Sequence, residues 1–289
     1  MAADFLVLFL KIVHFPDRYC APHVINIEIV ELDKLFLHEE TVPKYITRLK
    51  KSILRNKVLS NPIIIDKNSY VVLDGTHRVQ CFRELGYNYI VAALVDYSDP
   101  RVLLKNWYRV IRGRVNEIIR IAIWSGFSRT DIDPNNLYAE ARDKIILLID
   151  GETFAYSRGE NIYGLYQKLR EFEQMLGAHQ VDIEYVHEEE ALKTYEEGGI
   201  IVVTPSITKE DIIYYATRGL VFPPKTTRHI FPIRPMLIDF PVDLLVGDYD
   251  LPVINRILAE YLRPKQRVKI HGKTTIDRFY EEDYLIFFI

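Results

Sequence analysis

The chain has little cysteine, with two in 289 residues. Cys20 and Cys81 form neither a CxxC pair nor any metal-ligand spacing. That argues against a disulfide framework and against a structural zinc site, and makes a reducing interior the expected home. An excess of either charge is also missing: 37 Lys and Arg stand against 40 Asp and Glu, for a net charge of −3. The basic footprint of a nucleic-acid-binding protein is therefore absent. No apolar run is long enough to span a bilayer. The opening "FLVLFLKIVHF" is short and interrupted, and lacks both a basic lead-in and a small-residue cleavage site. It reads as the first strand of a soluble, cytoplasmic protein with neither nucleic acid nor membrane as a partner. Internal repeats and low-complexity segments are lacking as well.

What is present is enough apolar material, 48% of the residues, for a sizeable core in two domains. Residues 1–112 read as one α/β unit. "VINIEIVELDKL" alternates as a strand does. "HEET" leads into a helix with Thr41 as cap, Pro43 in the first turn, and Ile46, Leu49 and Ile53 on one face. "NPIIID" and "YIVAALVDY" are further strands. From Gly113 to Asn136 the chain reads as a connection carrying one helix around Val115–Ile123. A second α/β unit follows, to residue 245. "KIILLID" and "TFAYS" flank a turn there, and Ile162, Leu165, Leu169, Phe172 and Leu176 stripe a long helix. Thr208 with Asp211 opens another helix as a capping box. Residues 246–289 read as a C-terminal extension with a helix and two strands.

Three polar clusters stand out. "VVLDGTHRVQ" runs a buried strand into Asp74, a glycine turn at Gly75, and a helix beginning near Thr76, His77 and Arg78. Backbone N–H groups at a helix start beside an acid suit a phosphate carried with a metal ion. His38-Glu39-Glu40 precedes the first helix. As plain helix-end charges, such acids contribute about 0.3–1 kcal/mol each, and the HExxH spacing of a zinc site is absent. Lys225-Thr226-Thr227-Arg228-His229 places five donors after two stiff prolines, which an anionic substrate would need. Trp107, in "NWYR", suits either a core or a ligand contact.

In their order, "ELDKLFLHEE", "VVLDGTHR", "NWY" and "VFPPKTTRH" resemble the free L-serine kinases of the ParB/sulfiredoxin-like superfamily, from about Ile25 to Leu245. "PKTTRH" is the most specific element. The resemblance implies an α/β (α+β) architecture, with a ParB/sulfiredoxin-like nucleotide-binding domain and a second α/β domain forming a cleft. It implies phosphorylation of free L-serine to O-phospho-L-serine with ADP or ATP and Mg2+, feeding cysteine synthesis. Glu39 would then be the catalytic base and Asp74 the magnesium ligand. Gly75, Thr76, His77 and Arg78 would form the nucleotide corner, with His77 and Arg78 on the donor phosphates. Trp107, Thr227, Arg228 and His229 would hold serine, assisted by Lys225 and Thr226. One departure stands out: the family reads DGHHR, and Thr76 replaces the first histidine. A hydroxyl donates to phosphate but carries no charge.

The superfamily supplies rivals. Sulfiredoxin chemistry requires a cysteine where Thr76 stands. A ParB-type DNA clamp requires a helix-turn-helix domain, whereas the second half here reads as α/β. A non-catalytic nucleotide or amino-acid sensor is the remaining alternative, and turnover separates it from a kinase.

Overall fold

Runs of β-branched residues build the first sheet of this computed structural model, which describes residues 10–14, 23–132, 137–276 and 279–289. β1 (Leu10–His14) pairs antiparallel with β2 (His23–Glu31), where Ile25, Ile27 and Ile29 turn the same way into the core. β3 (Phe36–Leu37) leads to α1 (Pro43–Asn56). After it come β4 (Val58–Leu59), β5 (Ile63–Asp66), β6 (Val71–Asp74), α2 (Thr76–Glu84) and β7 (Tyr89–Val95). The sheet order is β1-β2-β7-β5-β6-β3, with β5–β7 and β3–β6 parallel and the other pairs antiparallel. β5 and β7 are buried along their whole length, so Ile63–Ile65 and Tyr89–Val95 read as continuous apolar runs rather than alternations.

Pro43 occupies the first turn of α1, and Ile46 and Ile53 are buried on its inner face. The expected Thr41 cap is not formed. Val42 is the N-cap, and no side chain caps the helix, so Thr41 lies one residue too early to reach it.

Two compact units divide the chain. The first comprises Met1–Leu103, Ala216–Gly219 and His229–Ile289; the second comprises Leu104–Tyr215 and Leu220–Arg228. This differs from the boundaries expected at 112 and 245. After β8 (Leu103–Asn106), the second unit contains β9 (Tyr108–Arg112), α3 (Val115–Trp124), β10 (Ser128–Arg129), α4 (Leu137–Glu140), β11 (Ile145–Ile149) and β12 (Glu152–Tyr156). It continues with α5 (Ile162–Ala178), β13 (Asp182–Val186), α6 (Glu188–Glu196), β14 (Ile200–Val203) and α7 (Lys209–Ala216). Its antiparallel sheet runs β10-β12-β11-β14-β9-β13. β9 is an inner strand of that sheet, and α3 buries Ile118, Ile121 and Ala122. The helix expected around Val115–Ile123 is α3. The stripe on α5 is buried from Leu165 to Leu176. The capping box also forms: Asp211 N–H donates to Thr208 Oγ1 at 3.1 Å, and Thr208 N–H donates to Asp211 Oδ2 at 3.0 Å.

Beyond α7 lie β15 (Thr227–Ile230), β16 (Ile233–Met236), β17 (Phe240–Pro241), α8 (Leu251–Leu262), β18 (Arg267–His271), β19 (Thr274–Thr275), β20 (Phe279–Tyr280) and β21 (Tyr284–Phe288). β21 pairs parallel with β16 and antiparallel with β18. Residues 246–289 are not an appendage: they are part of the first unit. α8 buries Ile254, Leu258 and Leu262, and Asn255 brackets β2, accepting from Ile29 N–H at 2.7 Å and donating to Ile29 O at 3.1 Å. Among the described residues no helix is long and apolar enough to cross a membrane.

Candidate active site

The corner between β6 and α2 depends on Gly75. Its φ of 105° lies in the left-handed region. A Cβ there would fall 2.6 Å from Ile63 Cγ2 and 2.9 Å from Arg78 Nη2. Gly75 is the N-cap of α2, and no side chain caps this helix, which leaves its first turn suited to an anion. Thr76 opens that turn.

His77 and Arg78 do more within the protein than the sequence suggests. Arg78 folds back over Gly75. Its Nη1 donates to the carbonyls of Asn61 and Pro62 at 2.7 and 2.6 Å, and its Nη2 donates to Asp74 Oδ2 at 2.6 Å. Arg78 thereby fixes the corner on Asp74 and on the two carbonyls. His77 Nε2 accepts from Val42 N–H at 3.0 Å, tying α2 to the start of α1. As an acceptor Nε2 bears no hydrogen, so the ring hydrogen sits at Nδ1.

Asp74 Oδ2 also accepts from Arg234 Nη1 at 2.9 Å, and Arg234 Nε donates to Glu282 Oε1 at 2.6 Å. Arg234 and Glu282 are buried, 6% and 4% exposed. Among the described residues no cluster of three or more His, Cys, Asp or Glu side chains could hold a metal ion. A single carboxylate beside an open helix start fits a magnesium ion of the kind that takes one or two carboxylates and completes its shell from substrate phosphates and water.

Glu39 lies between β3 and α1, its side chain 18% exposed, with Oε1 3.8 Å from His38 Nε2. The first turn of α1 contains no acid. Glu39 and Glu40 are thus too early to act simply as helix-end charges, an effect confined to the first turn. His38 is buried, and its Nδ1 donates to Val72 O at 2.5 Å. Burial, the largest influence, pushes its pKa down against the Glu39 carboxylate, the Val72 carbonyl and Asp74. The ring of His229 meets His38 edge-on at 5.4 Å, and its Nε2 lies 2.7 Å from the hydroxyl of Tyr97. Tyr97 was not evident from the sequence, where it closes an apolar strand run without any motif.

The second unit gathers the other candidates around Trp107. The indole Nε1–H donates to Thr227 O at 3.0 Å. Lys225 Nζ stands 4.2 Å from the ring centroid and the Arg228 guanidinium 5.8 Å. His187 packs against the same ring at 4.9 Å; it too was missed, lying just before an acidic helix start with no motif around it. The Trp107 carbonyl accepts from Arg109 Nη1 at 2.6 Å, and Arg109, 1% exposed, is paired with Glu173 at 2.6 Å. Lys225 has φ 64°, strained for a residue with a Cβ. Thr226 requires correction. It is fully buried, and its hydroxyl donates to Pro223 O at 2.8 Å, so it shapes the turn rather than meeting substrate.

No family model matches the chain. The ATP-dependent L-serine kinase of Staphylothermus marinus is 32% identical over 236 residues, spanning 75% of this chain and 90% of that protein. The chain belongs to the free L-serine kinase family. The ADP-dependent L-serine kinase of Thermococcus kodakarensis is 27% identical over 223 residues, spanning 75% of this chain and 91% of that protein. The fold is shared with a solved free serine kinase variant in complex with AMP. That similarity has a TM-score of 0.67 at 24% identity, over 79% of this chain and 98% of the other. Members of the free L-serine kinase family are phosphotransferases acting on an alcohol, and the mixed α/β fold described above is theirs.

Proposed function

We propose that this protein transfers a phosphoryl group from ATP or ADP to the hydroxyl of free L-serine, giving O-phospho-L-serine as a precursor for cysteine synthesis. Phosphoryl transfer asks a protein mainly for positioning and for neutralisation of oxygen charge. The observation that carries the reading is the Asp74-Gly75-Thr76 corner in a chain of this family: a carboxylate followed by a helix start that no side chain caps.

In this reading the donor phosphates lie at the first turn of α2, met by its N–H groups, the Thr76 hydroxyl and His77. Arg78 holds Asp74 and the turn in place. Asp74 would hold magnesium together with the phosphates, and the ion would neutralise charge on the transferred group. Glu39 takes the serine hydroxyl proton as general base. His38 Nδ1–H is committed to Val72 O, which supports a fixed seat for the neighbouring Glu39 carboxylate. Trp107, Lys225, Thr227, Arg228 and His229 serve the amino acid, with the Arg228 fork suited to its carboxylate.

The test is direct. Purified protein is incubated with L-serine, magnesium and either ATP or ADP, and phosphoserine is measured with the nucleotide products. Phosphoserine formed in step with ADP or AMP supports the assignment and names the donor. Nucleotide binding without phosphoserine from either donor rejects it.

A further inference from the structure

Arg234 is a buried cation with carboxylates on two sides. Its Nη1 reaches Asp74 and its Nε reaches Glu282, while its guanidinium lies 5.2 Å from the Phe231 ring and 5.8 Å from the Tyr280 ring. Burial, the largest influence, opposes its charge, yet Asp74 and Glu282 raise its pKa above the ordinary arginine value. Asp74 is in turn shared by two guanidiniums, since Arg78 meets the same Oδ2. Left with those two cations alone, the corner would carry a net positive charge and would repel a divalent cation. Glu282 restores the balance, with two carboxylates against two guanidiniums.

The seat of Glu282 is built into the backbone. Gly272 N–H donates to Asp283 O at 2.8 Å, and a Cβ on Gly272 would fall 1.3 Å from the Glu282 carbonyl oxygen. Only a residue without a side chain lets β18 and the strand entry carrying Glu282 approach this closely.

We propose that Glu282 is a positioning residue for magnesium: its charge offsets Arg234, so that Asp74 stays oriented by two guanidiniums yet remains negative enough to serve the ion. The proposal rests on the reading that Asp74 stands beside the metal. It assigns a function to the C-terminal segment, to which the family motifs do not extend.

The charge count gives a signature that loss of structure does not. Glu282→Gln makes the corner more positive. It should raise the magnesium concentration that half-saturates Mg-dependent nucleotide binding by roughly ten-fold, the order expected for one added charge a few ångströms away. Binding of the same nucleotide in EDTA, measured by calorimetry, should hold or tighten. The double variant Arg234→Met/Glu282→Leu removes one charge of each sign, and apolar replacement of a buried pair is often tolerated. It should return the magnesium requirement to within about two-fold of wild type. Asp74→Asn is the control and should raise the requirement. If Asp74→Asn raises it and Glu282→Gln does not, the proposal is overturned while the site stands. If Asp74→Asn leaves it unmoved, the reading of the site fails and takes the proposal with it. A fall in metal-free affinity in Glu282→Gln marks a structural defect and also overturns it. Should Glu282→Gln not fold, Arg234→Met carries the test: its magnesium requirement should hold or fall, and a rise overturns the proposal.

Discussion

His38 donates from ring Nδ1 to the carbonyl of Val72 at 2.5 Å, and this bond ties the residue beside Glu39 to the strand that ends in Asp74. One strand thereby positions both acids assigned to the chemistry. Val72 and Asp74 are two residues apart, which places them on the same side of the pleat. In the proposed mechanism, the base and the metal ligand are thus both tied to β6, one through its neighbour His38 and the other directly.

Burial, acting against that bond, makes His38 a pH sensor for stability. Burial holds its folded-state pKa below the ordinary value of 6.5. The unfolded chain then takes up a proton near pH 6.5 that the folded chain refuses. This contribution to stability is full above pH 6.5 and is lost as pH falls toward the folded-state pKa. His38→Asn keeps an amide donor for Val72 and removes the titration. Its Tm should fall less steeply between about pH 7 and 5 than that of wild type; parallel profiles would show that His38 does not govern acid stability.

Glu39→Gln separates catalysis from support. Loss of a general base should lower turnover by about 10²–10⁴, with nucleotide affinity and Tm close to wild type. Glu40→Gln should be milder. Near-normal turnover in Glu39→Gln would move the base to Glu40, which the matching variant then tests.

Arg228→Lys retains charge and removes the planar fork. Steady-state kinetics should show a raised KM for serine with the nucleotide KM nearly unchanged. A joint rise in both constants would assign Arg228 to structure rather than to the substrate carboxylate.

Gly75→Ala combines a left-handed φ with contacts of 2.6 and 2.9 Å. Backbone strain of this kind costs of order 1–3 kcal/mol, and relieving the contacts would displace Arg78 from Asp74. A lowered Tm together with weakened nucleotide binding is expected. A variant that keeps both would show that the turn tolerates a side chain.

Gly272→Ala tests the C-terminal hairpin from a distance. With a Glu282 carbonyl oxygen 1.3 Å from the added Cβ, the strand entry must move, and a clear fall in Tm should follow in thermal unfolding. An unchanged Tm would show that the close approach is dispensable.

The local grammar of the chain determined much of this protein. The β-branched run of β6, the glycine that follows it and the periodic stripe on α5 specify their elements through contacts within a few residues, and the structure contains all three. The Thr208–Asp211 box is equally local, spanning a single turn. The polar clusters are legible for the same reason, since a strand, a glycine and a helix start place Asp74 beside N–H groups whatever the rest of the fold does. Pairings between residues distant in the chain were decided only in three dimensions. Nothing near Glu282 in sequence announces that it reaches Arg234, and nothing near Tyr97 announces His229. Thr226 looked like a ligand because hydroxyls suit phosphate, but burial turned its hydroxyl to Pro223. The charge of Arg78 was legible from its type, but that two carbonyls and Asp74 lie within reach of its fork was decided by the fold. A side chain's chemistry is written in its type, whereas its partner depends on which distant strands the apolar core brings alongside it.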